Sequence, residues 1–160
     1  MVSSGAAAGP AAPITPLHSV SVAGAVVRAD GRVLAIQRAD NGTWEPPGGV
    51  LEPAEAIEDG VRREVFEETG IKVSVERLTG VYKNVSRGVI ALVFRCRPEG
   101  GHEQVSEESV AVDWLTATEV RERMSEVYAV RLLDALGGDG PPVVRTHDGR
   151  ALFRASPETG

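Results

Sequence analysis

A run of glutamates held between two glycine turns constrains this chain more than any other feature. Pro46-Pro47-Gly48-Gly49 cannot continue a helix, and Gly70 sits where a helical C-terminal cap belongs. Between them the pattern predicts a helix over residues 53–69, with Pro53 in the first turn, where its missing N–H is not needed. On the helical wheel Glu64 and Glu68 lie about 40° apart, and Glu67 lies about 60° from Glu64. All three share one face, as neighbours three and four residues apart must. Like charges so crowded repel, and one would be forced to hold a proton unless a cation sits among them. Ligands that are all oxygen suit Mg²⁺ or Mn²⁺, hard ions that also bridge phosphates.

The apolar stripe of the same helix is Ile57, Val61 and Val65, and its centre lies only about 20° from Glu68. At least one carboxylate is therefore expected at the seam between helix and sheet, where an unpartnered charge is costly. Gly60 costs about 1 kcal/mol relative to alanine in mid-helix. Its place near Glu64 and Glu67 on the wheel suggests close approach of another backbone or of substrate.

The rest of the sequence narrows the class. A chain of 160 residues supports one domain, and 42% hydrophobic with 25% charged residues is ordinary for a globular protein. The formal charge of −6 argues against a general phosphate-backbone binder, so no nucleic acid is expected as partner. Small anionic molecules stay open, because a divalent cation reverses the local field. The single cysteine, Cys96, allows no internal disulfide, and no zinc-ligand spacing exists. No apolar run is long enough for a membrane helix, and no secretory signal pattern is present; cytoplasmic residence is the default expectation.

Residues 1–16, rich in Ala, Gly, Pro and Ser, read as a disordered leader. A domain is expected over 17–138 and a C-terminal extension over 139–160, flexible or with a short hairpin about Asp148-Gly149. Strand-like runs at 19–28 and 32–38 flank Asp30-Gly31 and predict a hairpin. Further strands are expected at 73–82, 89–96 and 110–115. A second helix is expected at about 118–136, capped by Thr116 or Thr118, with Glu119 complementing its dipole. Strands mixed with two helices predict an α/β fold, a mixed sheet with helices on its faces. Tyr82, Phe94 and Trp114 read as core; Trp44 would stack a base or pack; Arg28, Arg38 and Arg87 are phosphate contacts or strand-edge charges. The three histidines, His18, His102 and His147, show no ligand spacing.

Residues 49–71 run Gly49, five residues, Glu55, seven residues, Arg63-Glu64-Val65, one residue, Glu67-Glu68, one residue, Gly70-Ile71. This resembles the box of the Nudix hydrolase family, G-x5-E-x7-R-E-U-x-E-E-x-G-U with U aliphatic, at every specified position. The resemblance implies an α/β/α sandwich with a mixed sheet. It implies Glu64, Glu67 and Glu68 as metal ligands, with the Gly49 carbonyl completing the sphere. It implies Glu55 and Arg63 as a supporting pair, a task that suits the planar guanidinium fork.

The family hydrolyses a nucleoside diphosphate linked to another moiety, so the resemblance implies water attack on a phosphorus of a diphosphate bridge. Divalent ions would neutralise that bridge and acidify water. Family members take the general base from the box or from a later loop; Glu67 is the first candidate here, then Glu108 and Glu107, with Glu103 in the same loop. The stretch holding Ser86, Arg87 and Gly88 lacks the proline of ADP-ribose enzymes and the tyrosine of dinucleoside polyphosphate enzymes. By elimination the expected substrate is a nucleoside triphosphate, damaged ones included, with ADP-ribose or a nucleotide sugar as the alternative. A regulator that senses nucleotides without cleaving them is a second class, disfavoured by the intact box. Homodimers are common in the family, and Leu132, Leu133 and Leu136 suit an interface or the core.

Overall fold

The structure, a computed structural model, describes residues 14–154. Most of the stretch read as a leader, residues 1–13, therefore lies outside the described residues, as do residues 155–160. The elements run β1 (Ser19–Val26), β2 (Val33–Arg38), β3 (Trp44–Glu45), β4 (Gly48–Val50), α1 (Ile57–Thr69), β5 (Ile71–Asn84), β6 (Val89–Gly101), β7 (Ser109–Leu115), α2 (Ala117–Arg123), α3 (Glu126–Leu136) and β8 (Val143–His147). Five strands form a mixed sheet in the order β4-β1-β6-β5-β8, and β3-β2-β7 form a second, antiparallel one. No helix among the described residues is long and apolar enough to cross a membrane.

Strand alternation explains the layers. In β1, Val22 and Val26 face one cluster with Val61 and Val65 of α1, Leu34, Phe94 and Trp114. Ala23 and Ala25 face the other, with Val120 and Met124 and with Ala129, Leu132 and Ala135 of α3. Helices therefore cover both faces, the α/β/α arrangement expected. Leu132 is fully buried, and Leu133 and Leu136 pack against the same cluster. Tyr82, Phe94 and Trp114 are buried, as read.

The predicted hairpin of β1 and β2 does not form. The Asp30-Gly31 turn is there, closed by Gly31 N–H to Arg28 O at 2.9 Å, but only a single bridge, Val27 to Val33, joins the two runs. Both edges of β1 are taken, by β4 antiparallel and β6 parallel. β2 pairs instead with β3 and β7.

The predicted second helix is two. Thr116 caps α2 through a capping box: Glu119 N–H donates to its hydroxyl at 3.2 Å, and its own N–H donates to Glu119 Oε1 at 3.1 Å. The chain turns extended at Met124 and Ser125. The buried Met124 side chain anchors that corner, with no glycine or proline to announce it.

Helix α1 starts at Ile57 rather than Pro53. The Glu55 side chain curls back to accept from Glu52 N–H at 2.9 Å, which holds residues 52–55 in a turn. Ile57, assigned to the apolar stripe, is 42% exposed beside this turn. Gly70 caps α1 in the left-handed region, at φ 74°.

The stretch read as an extension contributes to the sheet. β8 pairs parallel with β5 over Gly80–Asn84. The expected reversal at Asp148-Gly149 follows it, closed by a bridge from His147 to Leu152. Asp134 ties β8 to α3 and the core. It accepts from Tyr82 OH at 2.7 Å and from Arg145 Nε and Nη2, each at 2.8 Å.

Candidate active site

Arg63 organises the acidic face of α1. Its Nε and Nη2 donate to Glu55 at 2.9 and 2.5 Å, a two-pronged grip. Its Nη1 donates to Glu64 Oε1 at 2.9 Å and to Glu67 Oε2 at 3.3 Å. Beside that guanidinium the Glu55 carboxyl is held down to about 2. Gly60 makes room for this arrangement: a Cβ there would stand 2.6 Å from Leu51 Cδ1 and 2.9 Å from Glu55 Oε1.

The three box glutamates have different environments. Glu67 is exposed. Glu64 is half-buried, and desolvation raises its pKa against the Arg63 hydrogen bond. Glu68 is the carboxylate at the seam: it is 7% exposed, and burial pushes it up to about 8 although Gly48 N–H donates to its Oε2 at 3.1 Å. The neighbouring carboxylates Glu64, Glu45 and Glu108 push in the same direction.

A cleft of about 260 Å³ is lined by Glu64, Glu67 and Glu68 on one wall and Ser106, Glu107 and Glu108 on the other. The loop glutamates named from sequence thus meet the box. Glu103 does not; it accepts from Trp114 Nε1 at 2.7 Å and is spent on orienting that ring. Gly49 stands against the Glu64 carboxyl group, where a Cβ would lie 2.6 Å from its carbon and from both oxygens.

As the side chains stand, no group of three or more carboxylate, imidazole or thiolate residues among the described residues is gathered to hold a metal ion. Arg63 takes one oxygen of Glu64 and one of Glu67, and Gly48 N–H takes one of Glu68. Each keeps a second oxygen. The donor set is all oxygen and strongly anionic, which fits a hard divalent ion in ligand type.

A larger cleft, about 580 Å³, opens on the other side of β4. Its lining includes Gly48, Gly49, Val22, Arg38, Glu45, Asn84, Arg87, Tyr128, Arg131 and His147. Of the three arginines weighed from sequence, Arg38 and Arg87 reach it. Arg28 does not; it pairs with Asp30 at 2.7 Å and lies over the Trp114 ring. Trp44 packs on the core with Arg123 over its ring, so its task is packing. Sequence reasoning passed over Asn84, Tyr128 and Arg131 and dismissed His147. No local pattern marks them, because α3, β8 and the end of β5 meet only in the folded chain.

A NUDIX domain model matches residues 17–135. A "MutT-like protein" of Streptomyces ambofaciens is 70% identical over 140 residues, 88% of this chain and 90% of that one. An "ADP-ribose pyrophosphatase" of Methanocaldococcus jannaschii is 33% identical over 100 residues, 58% of this chain and 59% of that one. A NUDIX hydrolase structure from Nitrosomonas europaea has the same fold, with a TM-score of 0.72 at 21% identity over 84% of this chain and 82% of that one. Fold, box and family model agree that the chain belongs to the Nudix family. It is a Nudix hydrolase, a pyrophosphohydrolase of the MutT-like kind, from a family that typically depends on divalent metal.

Proposed function

We propose that this Nudix hydrolase is Mg²⁺-dependent, Mn²⁺ serving equally, and cleaves a diphosphate bond of a nucleoside triphosphate, oxidised ones included. One observation carries the reading. Gly49 lines the larger cleft while its backbone lies against Glu64, which lines the acidic one. A nucleotide whose nucleoside occupied the first would present its phosphates to the second. Glu64, Glu67, Glu68 and the Gly49 carbonyl would hold the ion, which supplies neutralisation of the diphosphate and acidification of water.

The chain's own residues do the rest. Arg63 positions Glu64 and Glu67 and is itself oriented by Glu55. The Glu67 side chain is 58% exposed, free to take the proton of the attacking water. Glu108 and Glu107 face it across the cleft and are the next candidates for that task. The narrow cleft keeps water, phosphorus and leaving oxygen in line.

ADP-ribose is the second reading, favoured by the likeness to the M. jannaschii relative. The test is release of phosphate or diphosphate from nucleoside triphosphates, 8-oxo-dGTP, ADP-ribose and nucleotide sugars. A chelator should abolish turnover and Mg²⁺ or Mn²⁺ restore it. Glu67→Gln should lower turnover by roughly 10²-fold or more, with melting and circular dichroism near those of the parent. Full turnover in the chelator, or in that variant, would refute the assignment.

A further inference from the structure

Arg131 stands on α3 one turn after Tyr128, on the wall of the larger cleft remote from the carboxylates. Its guanidinium lies 5.0 Å from the Tyr128 ring centroid and 5.3 Å from that of Tyr82. It is largely buried, and its Nε–H meets no acceptor among the described residues. The carboxylate whose field reaches it, Glu45, accepts from Arg38 Nη1 at 3.1 Å.

Arg131 Nη2 lies 3.5 Å from His147 Nε2. The His147 ring is 2% exposed, and its Nδ1 accepts from Gly149 N–H at 3.0 Å. A neutral imidazole has one acceptor nitrogen, so with Nδ1 accepting, Nε2 carries the hydrogen. Protonation would only add a second donor. Arg131 Nη2 and His147 Nε2 are thus two donors facing each other. Asn84 adds a third on the same wall, since its Oδ1 accepts from Ser86 and Arg87 N–H and its amide NH₂ is left to donate. Opposed donors without an acceptor are costly at this depth and reward a ligand that brings oxygen.

Val127 and Tyr128 line the same cleft and suit the flat apolar face of a nucleobase. We propose that Arg131 and His147 are the specificity-determining pair of this enzyme, donating to a keto oxygen of the nucleobase. An exocyclic amine at that position would put a third donor against two. The inference rests on the nucleotide reading above and names the class of base.

The probes exchange that oxygen for an amine: inosine against adenosine, and uridine against cytidine, with the neighbouring ring nitrogen turning from donor to acceptor. Calorimetry with the nucleoside monophosphates reads binding without turnover. The parent protein should bind IMP over AMP, and UMP over CMP, by roughly tenfold or more. The kcat/KM ratio of ITP to ATP should follow the same order. Arg131→Met should bring both ratios to within about twofold of one, and Arg131→Lys, which keeps charge without the fork, should fall between. A ratio near one, a preference for the amine, or no binding of either partner in the parent overturns the inference, and that comparison needs no variant. A preference that survives in folded Arg131→Met also overturns it. Triphosphates left intact while IMP outbinds AMP would sink the proposed function alone. Triphosphates cleaved without a keto preference would sink this inference alone.

Discussion

Glu68 shows how one residue's surroundings set its chemistry. It shares a helix face with Glu67, yet one is exposed and the other buried against Gly48. Burial pushes Glu68 up to about 8, so at pH 7 without a divalent ion it is mainly protonated. A cation ligand must be the carboxylate, so ion uptake must expel that proton. Calorimetry of Mg²⁺ binding at pH 7 in buffers of different ionisation enthalpy should report release of nearly one proton. Affinity should rise as pH climbs towards 8 and level off above it. Zero proton release would show that Glu68 is either not among the ligands or already ionised before the ion arrives. That Glu64, Glu67 and Glu68 share one face was legible from helical periodicity, because residues three and four apart need only a helix to meet. The Arg63 grip on Glu55 was expected only from the family resemblance, since a turn, not a helix, returns Glu55 to it.

Among the elements, β8 has the weakest local signal and one of the stronger anchors. Five residues paired on one edge make a marginal strand by themselves. Asp134 of α3 adds a two-pronged ion pair to Arg145 and a hydrogen bond from Tyr82, both partly screened from water. Asp134→Ala should cost about 2–3 kcal/mol, because it leaves the Tyr82 hydroxyl and a guanidinium unpartnered. Thermal melting should fall by roughly 5–10 °C for a chain of this size. A shift below about 2 °C would show that water replaces Asp134 readily and that β8 is held by backbone pairing alone. The two helix errors have similar origins. Periodicity joined α2 to α3, since a buried methionine at a bend looks like a methionine in a helix. It also extended α1 backwards through Pro53, where Glu55 folds the chain into a turn.

At the scale of the whole molecule, the two clefts adjoin at β4 but draw on different parts of the chain. The acidic one is built from α1 and one loop; the larger one needs β1, β2, the end of β5, α3 and β8. A chain ending at residue 138 loses β8, His147 and the partner of Asp134. It should melt at least about 10 °C lower and lose its discrimination among nucleobases before its affinity for Mg²⁺. Equal melting and unchanged discrimination would place β8 outside the working fold. The box, the sign of its charge, the kind of ion it suits and the fold class could all be read along the chain. The box and its charge rest on residues within a few helical turns, where spacing alone dictates proximity, and the fold class on the order of strand and helix runs along the chain. Strand pairing, the choice of which glutamate is buried and the donor wall around Arg131 could not. They depend on contacts between segments tens of residues apart, and burial, which sets the energy of every charge there, exists only once those segments have packed.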